Sequence, residues 1–257
     1  MNKQAMADNI IAARRTGKQT IMELPDPAPT MADAMDIQAL VFEGFGSPSV
    51  GWKVGATNEG AQKAFGINTP FYGPMAESGV RESGGEVANT ECVGAVEPEY
   101  AFKMARDFPG DGEELNAENA ASAIADVHVA IEVIGRCIGS QGYQNGIGVT
   151  MDFGGNAAFI IGPRITAWRD QDLVNTKVDV DVDGEHKQSG DGTPVMGDPI
   201  NSILWLAQKF AEDGRKIKAG EWVSTGTCTP PVPAETGKTT TAKFGDLGTV
   251  SVTFTQP

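Results

Sequence analysis

Apolar positions recur with a helical period over the first 45 residues of the chain. The segments MADNIIAARRTG and MADAMDIQALVFEGFG both end in glycine, and apolar residues of the second form a stripe with a period of about 3.6 residues: Met31, Met35, Ile37, Leu40 and Val41. The intervening segment ELPDPAPT is rich in proline, which predicts a loop. The chain therefore opens with two predicted helices.

From about Gly51 the pattern changes to short apolar runs interrupted by glycine and proline. Runs of this kind predict strands. They are VGWKVGAT, CVGAVEPEYAFKM, VHVAIEVIG, AAFIIGPRI and, near the end, GTVSVTF. One later helix is predicted after Pro199, with Ile203, Leu206 and Phe210 on one face and Gly214 as its stop.

These elements predict an α+β fold, a roll of strands preceded by an N-terminal helical portion. We expect residues 1–75 to form the helical and strand portion and residues 76–257 to form the β-roll catalytic body. A chain of 257 residues is long enough to bury a large core, so both portions are expected to belong to one integrated domain.

The composition narrows the range of partners. A formal net charge of −14 opposes binding to nucleic acids and to anionic membranes. The first 20 residues lack the apolar core of a signal peptide, and no segment has the roughly 18 apolar residues of a membrane span, so we expect a cytoplasmic protein. Cys92, Cys137 and Cys228 are far apart in the sequence, which favours reduced thiols in the core.

Two glutamates in the run AVEPEYAF are the first candidate for chemistry. If this run is extended, Glu97 and Glu99 point to the same face of a sheet, where their like charges repel. A divalent cation between them would remove the repulsion. The alternative is an exposed acidic edge strand, a position that Pro98 would suit.

Glu132 strengthens the metal hypothesis because its surroundings, VHVAIEVIG, are almost entirely apolar. An ionised carboxylate there needs a partner, which is either a cation shared with Glu97 and Glu99 or a nearby basic residue such as Arg136. Three carboxylates would supply half of an octahedral shell, the geometry that Mg²⁺ or Mn²⁺ prefers, and would leave positions for water and a bidentate substrate.

Lys53 also lies in an apolar run, where desolvation can lower an amine's pKa and make it a proton carrier. The alternative is a lysine whose head group stays in solvent. Asp152, before two glycines, is either a turn cap or a polar group near a ligand. Thr227 lies in the segment STGTCTPP, which either lines a pocket or forms a turn. His128 is either a core histidine or a catalytic one.

In their order along the chain, the runs GWKVGAT, AVEPEYAF, AIEVIG and GDPINSILWLAQKFAEDGRKIKAGEWVSTGT resemble the hydratase and decarboxylase group of the fumarylacetoacetate hydrolase superfamily. The resemblance covers the chain from about residue 35 onward. It implies a mixed β-roll, a homo-oligomer of at least two chains and a small 2-oxo acid substrate. The site residues that it implies are Glu97, Glu99 and Glu132 as ligands of Mg²⁺ or Mn²⁺, Lys53 and Asp152 as catalytic groups, and Thr227 as a substrate-facing residue.

The resemblance implies a hydratase, a lyase that adds water to a 2-hydroxy-2,4-dienoate or its 2-oxo-4-enoate tautomer. Decarboxylation of a 2-oxo diacid of the 4-oxalocrotonate type is the nearest alternative. Hydrolysis of an acylpyruvate carbon–carbon bond ranks lower, because that branch uses an early histidine and His128 is the first histidine here. A metal-dependent binding protein without catalysis is the remaining alternative. Phe153 stands where relatives have an amide, which predicts a more apolar wall for the substrate.

Overall fold

The structure is a computed structural model that describes residues 1–23, 25–139, 143 and 145–257. Helices and strands alternate irregularly along the chain. The helices are α1 (Lys3–Thr16), α2 (Met31–Phe45), α3 (Glu59–Phe65), α4 (Ala117–Ser122), α5 (Gly146–Met151) and α6 (Ile200–Glu212). The strands are β1 (Ser49–Gly55), β2 (Phe71–Ala76), β3 (Val80–Glu82), β4 (Gly85–Ala88), β5 (Val93–Met104), β6 (Ile124–Gly135), β7 (Asn156–Arg164), β8 (Val178–Val182), β9 (Glu185–Gly190), β10 (Trp222–Ser224), β11 (Val232–Pro233), β12 (Thr239–Phe244) and β13 (Gly248–Thr255).

The two predicted N-terminal helices are confirmed as α1 and α2. Asn2 caps the start of α1, and α2 begins with a reciprocal capping box between Thr30 and Asp33. Each helix ends at a glycine in the left-handed region, a conformation that residues with a side chain rarely adopt. The loop predicted between them contains neither helix nor strand in its described residues, and Leu24 lies outside those residues.

Within the described residues the first sheet has eight strands, in the order β2-β1-β10-β5-β6-β7-β3, with β11 pairing beside β5. Strand β5 is paired on both sides, with β6 along one edge and with β10 and β11 along the other. Pro98 lies between the stretches paired with β11 and β10, so its missing N–H interrupts neither ladder. The alternative of an exposed acidic edge strand is therefore wrong.

The second sheet has five strands, in the order β4-β13-β12-β8-β9, and the main core lies between this sheet, the first sheet and α6. Alternate residues of β6, Val127, Val129 and Ile131, belong to that core. Since neighbouring side chains of a strand point to opposite faces, Ala130 and Glu132 face the other way. The near-continuous apolar run of β6 thus reflects a strand buried on both faces.

The predicted boundary after residue 75 falls within β2, and β1 pairs with both β2 and β10. The N-terminal strands therefore share one sheet with β5 and β6. Helix α6 confirms the helix predicted after Pro199, and Gly214 follows it in the left-handed region. Among the described helices, none is both long and apolar enough to cross a membrane.

Candidate metal centre

Three carboxylates meet on one face of the first sheet. In the β5–β6 ladder Glu97 lies opposite Glu132, and Glu99 is two residues along on the same face. The three side chains can offer oxygen atoms that all lie within 4.8 Å of one another. Glu99 and Glu132 are fully buried, whereas Glu97 is partly exposed. Like charges directly opposite each other destabilise a sheet, so this arrangement favours a cation between them.

Burial makes negative charge costly at this point. It raises the pKa of Glu97 to about 7, a rise that the charge of Lys53 opposes and that of Glu132 assists. Burial also holds the pKa of Glu99 well above its ordinary value, and the charges of Glu132 and Glu97 add to that effect. A divalent cation would relieve both the repulsion and the desolvation of these groups.

Each buried glutamate has one oxygen fixed by a hydrogen-bond donor and one oxygen without a donor. Glu99 Oε2 accepts hydrogen bonds from the Gly226 amide at 3.0 Å and from the Ser224 hydroxyl. Glu132 Oε1 accepts one from Asn156 Nδ2 at 2.8 Å. Among the described residues, Glu99 Oε1 and Glu132 Oε2 have no hydrogen-bond partner. Two buried, unsatisfied carboxylate oxygens beside Glu97 fit a hard divalent cation, because such ions take oxygen ligands whose other atoms are held by further contacts.

Lys53, in β1, is the basic residue that forms an ion pair with this cluster. Its side chain is only 3% exposed, and its Nζ donates to the Gly154 carbonyl at 2.9 Å. Nζ also lies 3.0 Å from Glu132 Oε2, but this ion pair lacks hydrogen-bond geometry. Burial acts to lower the pKa of Lys53, yet the charges of Glu132, Glu97 and Glu99 outweigh it and leave this pKa raised. Desolvation therefore does not leave the pKa of Lys53 lowered in the polypeptide alone, and the alternative of a head group in solvent is wrong.

Lys53 and Glu97 line a cavity of about 270 Å³. The cavity follows β5 and β6 away from the cluster, since Ala95, Val93 and Ile134 also line it. Further apolar wall comes from α3, β2 and α5, through Ala61, Phe65, Phe71 and Val149, and polar groups come from Gln19, Glu91 and Arg136. Thr227 lines the cavity too, although its hydroxyl donates to the Thr229 carbonyl at 2.7 Å.

Asp152 and Phe153 were expected to face the substrate, but the structure places both behind the cavity wall. Asp152 is buried in an ion pair with Arg14 at 2.6 Å and accepts a hydrogen bond from the Cys137 amide. The Phe153 ring packs against two aromatic rings of α2. Among the described residues that line the cavity, the turn after α5 contributes Gly154 and Gly155 but neither Asp152 nor Phe153. The turn directs its glycine backbone toward Lys53 and these two side chains toward the N-terminal helices.

The family model for the fumarylacetoacetate (FAA) hydrolase C-terminal domain matches residues 68–255 of the chain. The chain belongs to the fumarylacetoacetate hydrolase family. It is 30% identical to 2-keto-4-pentenoate hydratase of Burkholderia vietnamiensis, over 98% of this chain and 97% of the relative. It is 28% identical to 4-oxalocrotonate decarboxylase of a Pseudomonas species, over 99% of this chain and all of the relative.

A solved structure of a similar protein has the same fold as this chain. The chain matches 4-oxalocrotonate decarboxylase from Pseudomonas putida G7, complexed with magnesium and adipate, with a TM-score of 0.89 and 29% identity over 98% of this chain and 97% of that one. The predicted α+β fold is thereby confirmed.

Several residues that support the candidate metal centre carry little signal in the sequence. Asn156 and Ser224 hold the two buried glutamates, but single polar residues at strand ends give little signal in a sequence. Glu132 pairs with Lys53, and Arg136, the basic partner that the sequence suggests for Glu132, lines the cavity. His128 lies within hydrogen-bonding distance of the Gly162 carbonyl, at 2.8 Å, and packs edge-on against Trp222, as expected of a core histidine.

Proposed function

We propose that this protein is a divalent-metal-dependent hydro-lyase that hydrates a 2-hydroxy-2,4-dienoate, or its 2-oxo-4-enoate tautomer, to a 4-hydroxy-2-oxo acid. The observation that carries the proposal is the cluster Glu97, Glu99 and Glu132, in which Glu99 Oε1 and Glu132 Oε2 are buried without a hydrogen-bond donor in the described residues, while Glu97 and Lys53 line a cavity. The hydratases among its relatives support this choice of reaction. An all-oxygen ligand set favours Mg²⁺ or Mn²⁺ over softer metals.

The bound cation would supply positive charge next to the 1-carboxylate and 2-oxygen of the substrate. The residues of the chain supply a proton and an apolar wall. Lys53 holds a proton at Nζ, oriented by the Gly154 carbonyl, within reach of a substrate oxygen or carbon in the cavity. The apolar wall formed by Phe71, Ile134 and Val149 excludes water from the dienoate chain except where water adds. This division of roles lets a protein with a net charge of −14 bind an anionic acid.

The experiment that tests the proposal follows the ultraviolet absorbance of 2-hydroxypenta-2,4-dienoate with the purified protein and Mg²⁺ or Mn²⁺. We expect metal-dependent loss of the dienoate absorbance and a product heavier by one water. Removal of the metal with a chelator should stop the reaction, and added metal should restore it. A metal-loaded protein that leaves the dienoate unchanged would contradict the hydratase function.

Decarboxylation of a 2-oxo diacid is a second candidate, favoured by Arg136. This residue follows Glu132 by four positions, which span about 13 Å in extended chain, and it comes directly after the end of β6. Ile134, between the two residues, lines the same cavity. Arg136 is half-buried, and desolvation lowers its pKa. A diacid held at the glutamate cluster by one end would present its second carboxylate to this guanidinium. The similar decarboxylase from Pseudomonas putida G7 was solved with adipate, a diacid.

Replacing Arg136 with glutamine should reduce the preference for diacids. The measured quantity is the dissociation constant of 2-oxohexanoate divided by that of 2-oxoadipate, obtained calorimetrically with Mg²⁺ present. We expect this ratio to fall by about tenfold, the scale of a lost charge-assisted hydrogen bond. These two ligands share the 2-oxo acid end and differ in the far carboxylate. Arg164→Gln is the matched control, because Arg164 is exposed and pairs with Asp126 outside the cavity. An unchanged ratio in Arg136→Gln would remove this support for a diacid substrate.

A further inference from the structure

Helix α1 lies outside the region matched by the family model, yet one of its side chains reaches the loop beside the candidate metal centre. Arg14 donates from Nε to Asp152 Oδ1 at 2.6 Å, and from Nη2 to the carbonyls of Asp152 at 2.9 Å and Asn156 at 3.0 Å. Its guanidinium carbon lies 3.7 Å from the centroid of the Phe153 ring. One arginine thus binds both ends of the loop 152–156.

The same loop contacts the metal centre at two points. Asn156 Nδ2 donates to Glu132 Oε1 at 2.8 Å, and the Gly154 carbonyl accepts from Lys53 Nζ at 2.9 Å. Gly154 is held at φ 61°, and a Cβ atom there would lie 3.1 Å from Lys53 Cδ, so the loop backbone approaches the lysine closely. The positions of a metal ligand and of the catalytic lysine therefore depend on the conformation of this loop.

We propose that Arg14 is a positioning residue of the metal centre. By fixing the carbonyls at both ends of the loop, it aims Asn156 at Glu132 Oε1, so that Oε2 of that glutamate, which is ion-paired with Lys53 but accepts no hydrogen bond in the described residues, is left for the cation. Only a planar guanidinium can serve three acceptors in this fork geometry, so lysine is a poor replacement. The inference rests on the proposed metal site.

A purely structural role for Arg14 makes a different prediction. Arg14 and Asp152 form a buried ion pair, and loss of one partner destabilises a protein wherever the pair lies. A structural arginine would lower the melting temperature without a specific effect on metal affinity. A positioning arginine changes metal affinity through Asn156, so that its effect disappears once the Asn156 side chain is removed.

The experiment titrates the full-length protein with Mn²⁺ in a calorimeter. We expect Arg14→Met to weaken Mn²⁺ binding by about tenfold or more, the scale seen when partners of metal ligands are lost. Asn156→Ala should weaken it comparably, although Arg14 still reaches the backbone carbonyl of residue 156 in that variant. The double variant should bind no worse than Asn156→Ala alone. Arg15→Met, a neighbour on α1 whose guanidinium binds the Gly44 carbonyl, should keep the wild-type affinity.

Two results would overturn the inference: wild-type Mn²⁺ affinity in Arg14→Met, or separate losses that multiply in the double variant. If Arg14→Met does not fold, Arg14→Lys provides the same comparison, since it keeps the charge and loses the fork. Val252→Ala, which opens a cavity in the second sheet, controls for stability and should lower the melting temperature without changing Mn²⁺ affinity. A wild-type protein that binds no Mn²⁺ would instead contradict the proposed metal centre itself.

Discussion

Replacing Glu132 with glutamine is expected to abolish metal binding and turnover while the protein stays folded. The amide oxygen of the new side chain can still accept the hydrogen bond that Asn156 Nδ2 gives to Glu132 Oε1. That orientation turns the amide NH₂ toward the place of Oε2, the oxygen without a donor among the described residues. An NH₂ group donates hydrogen bonds and does not bind a cation, so the variant loses both a negative charge and a ligand atom.

The loss of metal affinity should exceed the roughly 10- to 100-fold that follows from losing a partner of a ligand, because the ligand itself is changed. The measurement is a calorimetric titration with Mg²⁺ and Mn²⁺, combined with the dienoate assay and a thermal melt. Glu91→Gln is the matched control, since Glu91 lines the same cavity and the hydrogen bond that it accepts from the backbone N–H of Gln19 survives the change. Wild-type metal affinity in Glu132→Gln would contradict the assignment of Glu132 as a ligand.

The sequence pointed to each of the three carboxylates, because the signals that single them out are local. A strand period of two places Glu97 and Glu99 on one face, and an isolated glutamate in the apolar run of β6 requires a partner. What the pattern could not supply was the register that sets Glu97 opposite Glu132, since register depends on the pairing of two distant strands.

The positions of Asp152 and Phe153 were predicted wrongly, because they depend on contacts with residues far away in the sequence. The partner of Asp152 is Arg14, which is 138 positions distant, and Phe153 packs against rings of α2. A single sequence gives no sign that α1 and α2 pack behind this loop. The direction of the pKa shift of Lys53 is hidden from the sequence for the same reason, because it depends on three carboxylates from two other strands.

Replacing Lys53 with methionine should lower kcat by a factor on the order of a hundred or more, the typical contribution of a positioned proton carrier. Methionine keeps an unbranched side chain at this buried position and removes the Nζ proton and its bond to the Gly154 carbonyl. Metal affinity should be retained, because removing a positive charge from beside Glu132 does not weaken the attraction of the cluster for a cation.

The measurement pairs the dienoate assay under saturating metal with a Mn²⁺ titration of the same preparation. Lys103→Met is the matched control, since Lys103 lies on β5 with its Nζ 5.2 Å from the centroid of the Trp222 ring, outside the cavity lining. An unchanged kcat in Lys53→Met would remove Lys53 from catalysis. A lost Mn²⁺ affinity would show instead that the lysine acts by holding Glu132, because a proton carrier affects the reaction and leaves the ligand set in place.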